Sequence, residues 1–107
     1  MYAVIFEVQP KTELATRAYF DLAAELRTEL EEIDGFISVE RFSSLSDENK
    51  FLSISLWRDE KSLKRWREHH QHRKAQQKGR VQFFKDYRII VAKVIRDYGI
   101  TNRKEAP

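Results

Sequence analysis

Apolar side chains fill both alternating sets of the first nine residues: Tyr2, Val4, Phe6 and Val8 on one, Ala3 and Ile5 on the other. That pattern predicts a strand covered on both faces. Pro10 has no amide proton for a ladder and ends it. Thr12 is placed to accept an amide bond that a first helical turn leaves free. Leu14, Ala18, Leu22, Leu26, Leu30 and Ile33 then recur at steps of four and three, with Tyr19 and Ala23 alongside. This is the buried stripe of a helix of about five turns. Gly35 supplies the positive φ of a C-terminal stop. Phe36 to Phe42 alternates as a strand, and Ser46-Asp47-Glu48-Asn49 is turn chemistry. Lys50 to Trp57 forms the next strand, with Leu52, Ile54 and Leu56 on one face and Phe51, Ser53, Ser55 and Trp57 on the other. The two strands make an antiparallel hairpin. Asp59 caps a second helix carrying Leu63 and Trp66, and Gly79 breaks it. Val81, Phe83 and Phe84 pack as a connector before a last strand from about Tyr87 to Ile95.

The order predicts an α+β fold: a ferredoxin-like βαββαβ antiparallel sheet with two helices on one face. The first strand is apolar on both sides, and so is the last, where Ile89, Val91 and Ile95 oppose Ile90, Ala92 and Val94. A helix-free face so lined would be wet in a monomer, and apolar patches of that kind mark partner surfaces. The expected partner is a second copy, giving a homodimer through the helix-free sheet face. One domain over residues 1–98 is expected, followed by a loose polar tail over 99–107.

Composition narrows the chemistry. The 107 residues contain no cysteine, which excludes disulfides, thiol catalysis and zinc-thiolate or iron–sulfur sites. No apolar run approaches a membrane span, and the first residues lack a signal peptide's basic region, so a soluble cytoplasmic protein without a membrane partner is expected. The net charge of +3 hides an asymmetry: residues 1–57 hold 5 basic and 11 acidic side chains, residues 58–107 hold 15 and 6. Either the second half meets an anionic ligand, or two helices of opposite sign lie side by side. Glu29, Glu31, Glu32 and Asp34 oppose the macrodipole at the end of the first helix, so a basic group from elsewhere is expected beside them. The third strand lacks the glycine and middle aromatic of an RNA-recognition consensus, so no nucleic-acid partner is expected.

From Arg67 to Arg80 the only apolar residue is Ala75. Either this stretch lifts off the core into solvent, or its inner face borders a wet polar cavity. On an ideal helix Trp66, His69, His70, Arg73 and Gln77 share a face, with His72 roughly 120° away. Histidine titrates near neutrality and suits a general base, so His70 and His72 are the candidates, with Arg73 to stabilise an anion. His69 and His72 at i, i+3 have no evident third ligand, so no metal is expected; no dinucleotide motif exists, and no cofactor is expected. Trp66 is either core or a wall against a flat aromatic ligand, and Trp57 and Phe83 complete the candidate binding set. Ser53 and Ser55, between Phe51 and Trp57, leave room either for a ligand or, as favoured here, for a close dimer contact.

Several stretches resemble the antibiotic-biosynthesis-monooxygenase-like domains of the dimeric α+β barrel superfamily. They are Gly35-Phe36, Leu56-Trp57-Arg58-Asp59-Glu60, Trp66, His72-Arg73-Lys74-Ala75-Gln76 and Gly79-Arg80, and the likeness covers about residues 2–98. It implies a dimeric α+β barrel and favours His72 as the family-matching histidine. It also implies cofactor-independent oxidation of a small electron-rich aromatic, a quinol or anthrone, by molecular oxygen. A non-catalytic small-molecule binding or sensing protein is the alternative. The haem-degrading branch is similar around Trp66, but its iron-ligating histidine falls on Gln76 and its first-strand asparagine on Glu7, which argues against haem.

Overall fold

The structure, a computed structural model, describes residues 1–76 and 84–106, with side chains of the second helix described as far as His69. Its elements run β1 (Tyr2–Pro10), α1 (Glu13–Glu31), β2 (Phe36–Ser43), β3 (Phe51–Trp57), α2 (Glu60–Gln76) and β4 (Phe84–Lys93). The four strands form one antiparallel sheet in the order β2-β3-β1-β4, a ferredoxin-like α+β fold. Gly79, Val81 and Phe83 lie outside the described residues.

Local chemistry sets the ends of the elements. Thr12 is extended (φ −145°, ψ 170°), and its hydroxyl accepts from the Ala15 amide at 3.1 Å, the cap expected of it. Asp59 does the same for α2, its Oδ1 accepting from the Ser62 amide at 2.9 Å and the Ser62 hydroxyl at 2.7 Å. Gly35 has φ +97°, and a Cβ there would collide with the Ser62 hydroxyl. Only glycine tolerates both the backbone conformation and the approach. α1 itself ends earlier, at a C-cap on Glu32, and Gly35 closes the turn into β2.

The expected α1 stripe faces the sheet, with Leu22, Leu26 and Leu30 inward, except at its first residue. Leu14 is 77% exposed, whereas Ala15, Tyr19, Ala23 and Leu30 are buried. Leu14 lies in the first turn, before the helix reaches the sheet, while Ala15 and Tyr19 face it. β4 starts three residues earlier than expected and stops before Ile95. Phe84 pairs with Pro10 across a register shift at Gln9/Pro10, and Ile95 lies beyond the last pair, 84% exposed. β2 does not alternate throughout. The register slips between Phe36 and Ser38, so Ile37 bulges outward. The extra residue changes parity and puts Phe36 on the same face as Val39.

Both helices cover the face that carries Val4, Phe6, Ser53, Ser55 and Trp57. Tyr19 of α1 meets Phe6 and Phe84 edge-on, with ring centroids 6.3 and 5.7 Å apart. Trp66 of α2 stacks on Trp57 at 6.4 Å. The core is centred on Leu30, Val39 and the fully buried Trp57. The expectation that Ser53 and Ser55 make a dimer contact is therefore corrected: alternation showed that they share a face with Trp57, but that face is the helix-covered one.

Among the described residues, no helix lies on the opposite face. Ladder register builds cross-strand rows there, Leu56–Ala3–Ala92 and Ile54–Ile5–Ile90, all only half-buried. The next row, Leu52–Glu7–Arg88, ends the apolar area. Glu7 accepts from Arg88 Nε at 2.8 Å and lies 3.8 Å from Lys50 Nζ.

Candidate functional site

The helix-covered face of the sheet is not packed flat. Two cross-strand rows form its middle: Arg41–Ser53–Phe6–Ile89 and Val39–Ser55–Val4–Val91. The central strand β3 thus contributes two serines where a filled core would carry large apolar groups. The helices pack at the sides, and a cavity of about 590 Å³ remains between them and the sheet. Leu22, Ala23, Leu26 and Leu30 wall it from α1, and Leu63, Trp66 and Arg67 from α2. It opens toward the β4 edge, where Ile89 and Val91 are 54% and 59% exposed although they sit on the helix side.

Trp66, read from sequence as either core or ligand wall, lines this cavity. Trp57 does not reach the wall. It lies behind it, stacked on Trp66, and its indole N–H donates to Ser55 Oγ at 2.9 Å. Ser55 accepts that bond, which leaves its own O–H proton to donate toward the cavity. The backbone of α2 continues as helix through His70, His72 and Arg73, but their side chains, like all of Phe83, lie outside the described residues. His69 is described. Its ring stacks on Trp66 at 5.6 Å, and its Nε2 is 3.3 Å from Glu29 Oε2, a close contact too poorly aligned to be a hydrogen bond.

A cluster of charged groups links the end of α1 to the start of α2, the helix that carries Leu63 and Trp66. The Arg58 guanidinium binds Asp34 through two parallel bonds of 3.0 Å, and its Nε donates to Asp59 at 3.1 Å. Arg65 adds a bond to the Asp34 carbonyl at 3.3 Å. Asp34 is held below the usual carboxylate range, first by the Arg58 hydrogen bond and then by its charge. Asp59 is held below it too, chiefly by the Ser62 hydroxyl, with the Ser62 amide and Arg58 adding to this. These acids in turn raise Arg58. The acidic end of α1 therefore meets the basic start of α2, as the charge asymmetry suggested. The contacts run through Asp34 and Glu29, whereas Glu31 pairs with Arg27 on its own helix at 3.2 Å.

Arg41 is a site residue that the pattern did not single out. It stands on the helix side of β2, opposite Ser53, and lines the cavity. Its Nε is buried and has no hydrogen-bond partner among the described residues. Lys64, Arg67 and Glu60 are the other charged groups of the wall, all exposed at its rim. The available signal was parity, since Arg41 is two residues from the inward Val39. A charged residue two places from a strand's end nevertheless reads as solvent-facing.

Comparison with known proteins bears on this geometry. Residues 1–78 match the family model described as antibiotic biosynthesis monooxygenase. Over 94 residues the chain is 48% identical to a Pyricularia oryzae protein named jasmonate monooxygenase ABM, an alignment covering 88% of this chain and 43% of that one. The chain thus spans less than half the length of that relative. Its fold is similar to that of a dimeric ferredoxin-like protein from an uncultured marine organism, with a TM-score of 0.75 at 7% identity, covering 90% of this chain and 96% of the other. It is also similar to a monooxygenase of Streptomyces coelicolor in complex with the ligand nanaomycin D, with a TM-score of 0.70 at 10% identity over 90% and 88% of the two chains. At such identities the solved structures speak for the fold alone.

Proposed function

This chain belongs to the antibiotic biosynthesis monooxygenase family, and from that premise we propose that it is a cofactor-independent monooxygenase acting on a small electron-rich aromatic of the quinol or anthrone type. The observation that carries the reading is the cavity of about 590 Å³ beneath Trp66, walled by Leu22, Leu26, Leu30 and Leu63 with charged groups of α2 at its rim, and bearing the Ser53 and Ser55 hydroxyls beside Arg41 on its sheet side. It is large enough for a fused-ring guest, and its aromatic wall suits a flat one.

The reaction asks little of a protein. For an anthrone, a base removes a proton from the methylene, and the resulting enolate gives an electron to oxygen. The radical pair combines to a peroxide, which loses water to leave a carbonyl. One atom of oxygen enters the product and the other leaves as water. In this reading the apolar walls limit the water around the guest, and the Ser55 hydroxyl would donate to the developing anion. His70 or His72 is the proposed base, and Arg73 a proposed partner of the anion.

The working unit proposed is a homodimer packed through the helix-free face, which would cover the rows centred on Ile5 and Ala3 and complete a dimeric α+β barrel. The Glu7–Arg88–Lys50 cluster would then border that interface.

Oxygen uptake tests the activity, using dithranol and a panel of hydroquinones. The expected result is uptake by the wild type that Ser53→Leu, which fills the floor of the cavity, abolishes without unfolding the protein. Uptake no faster than in buffer across the panel would leave the non-catalytic binding reading in its place.

A further inference from the structure

We infer that the cavity selects guests bearing a carboxylate, which docks on Arg41. The inference deepens the reading above and rests on the cavity being the ligand site, though not on its being catalytic. Arg41 is the charged residue of the sheet floor. Its row continues through Ser53 to the apolar Phe6 and Ile89, so one end of the floor is cationic and the other greasy. Its Nε is withdrawn from solvent without an acceptor among the described residues. A buried donor left in that state is costly, and a bound carboxylate relieves it. The guanidinium is planar and presents a fork of donors that matches two carboxylate oxygens.

The rest of the wall fits a monoanion with an apolar body. Leu22, Leu26, Leu63 and Trp66 offer surface to hydrocarbon, while Lys64 and Arg67 at the rim outnumber Glu60 and draw an anion toward the mouth. A phosphate dianion would bring a second charge to a floor with one guanidinium. The Ser53 hydroxyl, directly across the ladder from Arg41, is placed to share a carboxylate oxygen.

Calorimetric titration with 1-naphthylacetate and its neutral amide, 1-naphthylacetamide, tests this on the wild-type protein. The acid is expected to bind at least tenfold more tightly than the amide. Arg41→Met should bring the two within twofold by weakening the acid more than the amide, and Arg41→Lys should recover part of the preference. The double variant Lys64→Met, Arg67→Met should reduce the preference less than Arg41→Met does. Equal affinities in the wild type would overturn the inference, and amide binding that Ser53→Leu abolishes would then keep the cavity as the ligand site. A preference that survives Arg41→Met and disappears with Lys64 and Arg67 would overturn it too. If neither compound binds, both the inference and the cavity reading fall. The wild-type comparison does not depend on any variant folding.

Discussion

Gly35→Ala is the substitution whose cost the structure specifies most fully. A residue with a Cβ at φ +97° is strained by about 1–3 kcal/mol. The turn cannot relax easily, because the Gly35 carbonyl accepts the Arg58 amide at 2.8 Å. The new Cβ would also lie 2.6 Å from Ser62 Cβ and collide with its hydroxyl. Ser62 is fully buried and cannot swing away without giving up its 2.7 Å bond to Asp59. Overpacking of this kind typically adds about 1–3 kcal/mol, so the sum is about 2–6 kcal/mol. That is a large share of the roughly 5–15 kcal/mol that holds a domain together. Urea unfolding at fixed protomer concentration reads it as a lower midpoint at an unchanged slope. Ser62→Gly removes both colliding atoms, so in that background the same substitution should cost only the backbone strain. Ser62→Ala keeps the Cβ and should rescue little. A loss below about 0.5 kcal/mol would refute the reasoning, as would full rescue by Ser62→Ala.

Other outcomes follow from the same contacts. Ser55→Ala strands the buried Trp57 indole N–H and should cost about 1–3 kcal/mol in urea unfolding, but much less in a Trp57→Phe background. Asp34 and Asp59 have folded-state pKa values below their unfolded ones, so they contribute stability that is complete above about pH 5 and lost as pH falls through the unfolded and then the folded values. Asp59→Asn keeps a capping oxygen and should flatten that acid limb, which a pH series of thermal midpoints checks; an unchanged limb would count against the assignment. Ile54→Glu, at the centre of the helix-free face, should give a monomer by sedimentation at micromolar protein while the wild type sediments as a dimer. A monomeric wild type would remove the proposed assembly.

Much of the fold was legible because local chemistry and periodicity agreed. Thr12 and Asp59 cap as their side chains require, and Gly35 stands where a left-handed turn is needed. The two-sided apolar pattern of β1 marked it as a strand inside the sheet. What escaped the sequence depended on pairing. The bulge at Ile37 reverses parity through a register slip that no local signal announces. Phe84 joins β4 because it finds Pro10 across the ladder. Strand alternation grouped Ser53 and Ser55 with Trp57 but could not say which group the helices cover. Trp66 was recognised from its place on the α2 stripe. Arg41 escaped because its inward direction follows from the register of β2 on β3, while its charge pointed the other way.

Methyl-resolved NMR during titration with 1-naphthylacetate tests the central claim, that the space between helices and sheet receives the guest. Shifts are expected at Val4, Val39, Leu22, Leu26 and Leu63, which wall the cavity, with Ile5, Ile54 and Ile90 on the far face unmoved. Shifts confined to those three isoleucines, with the cavity methyls silent, would contradict it.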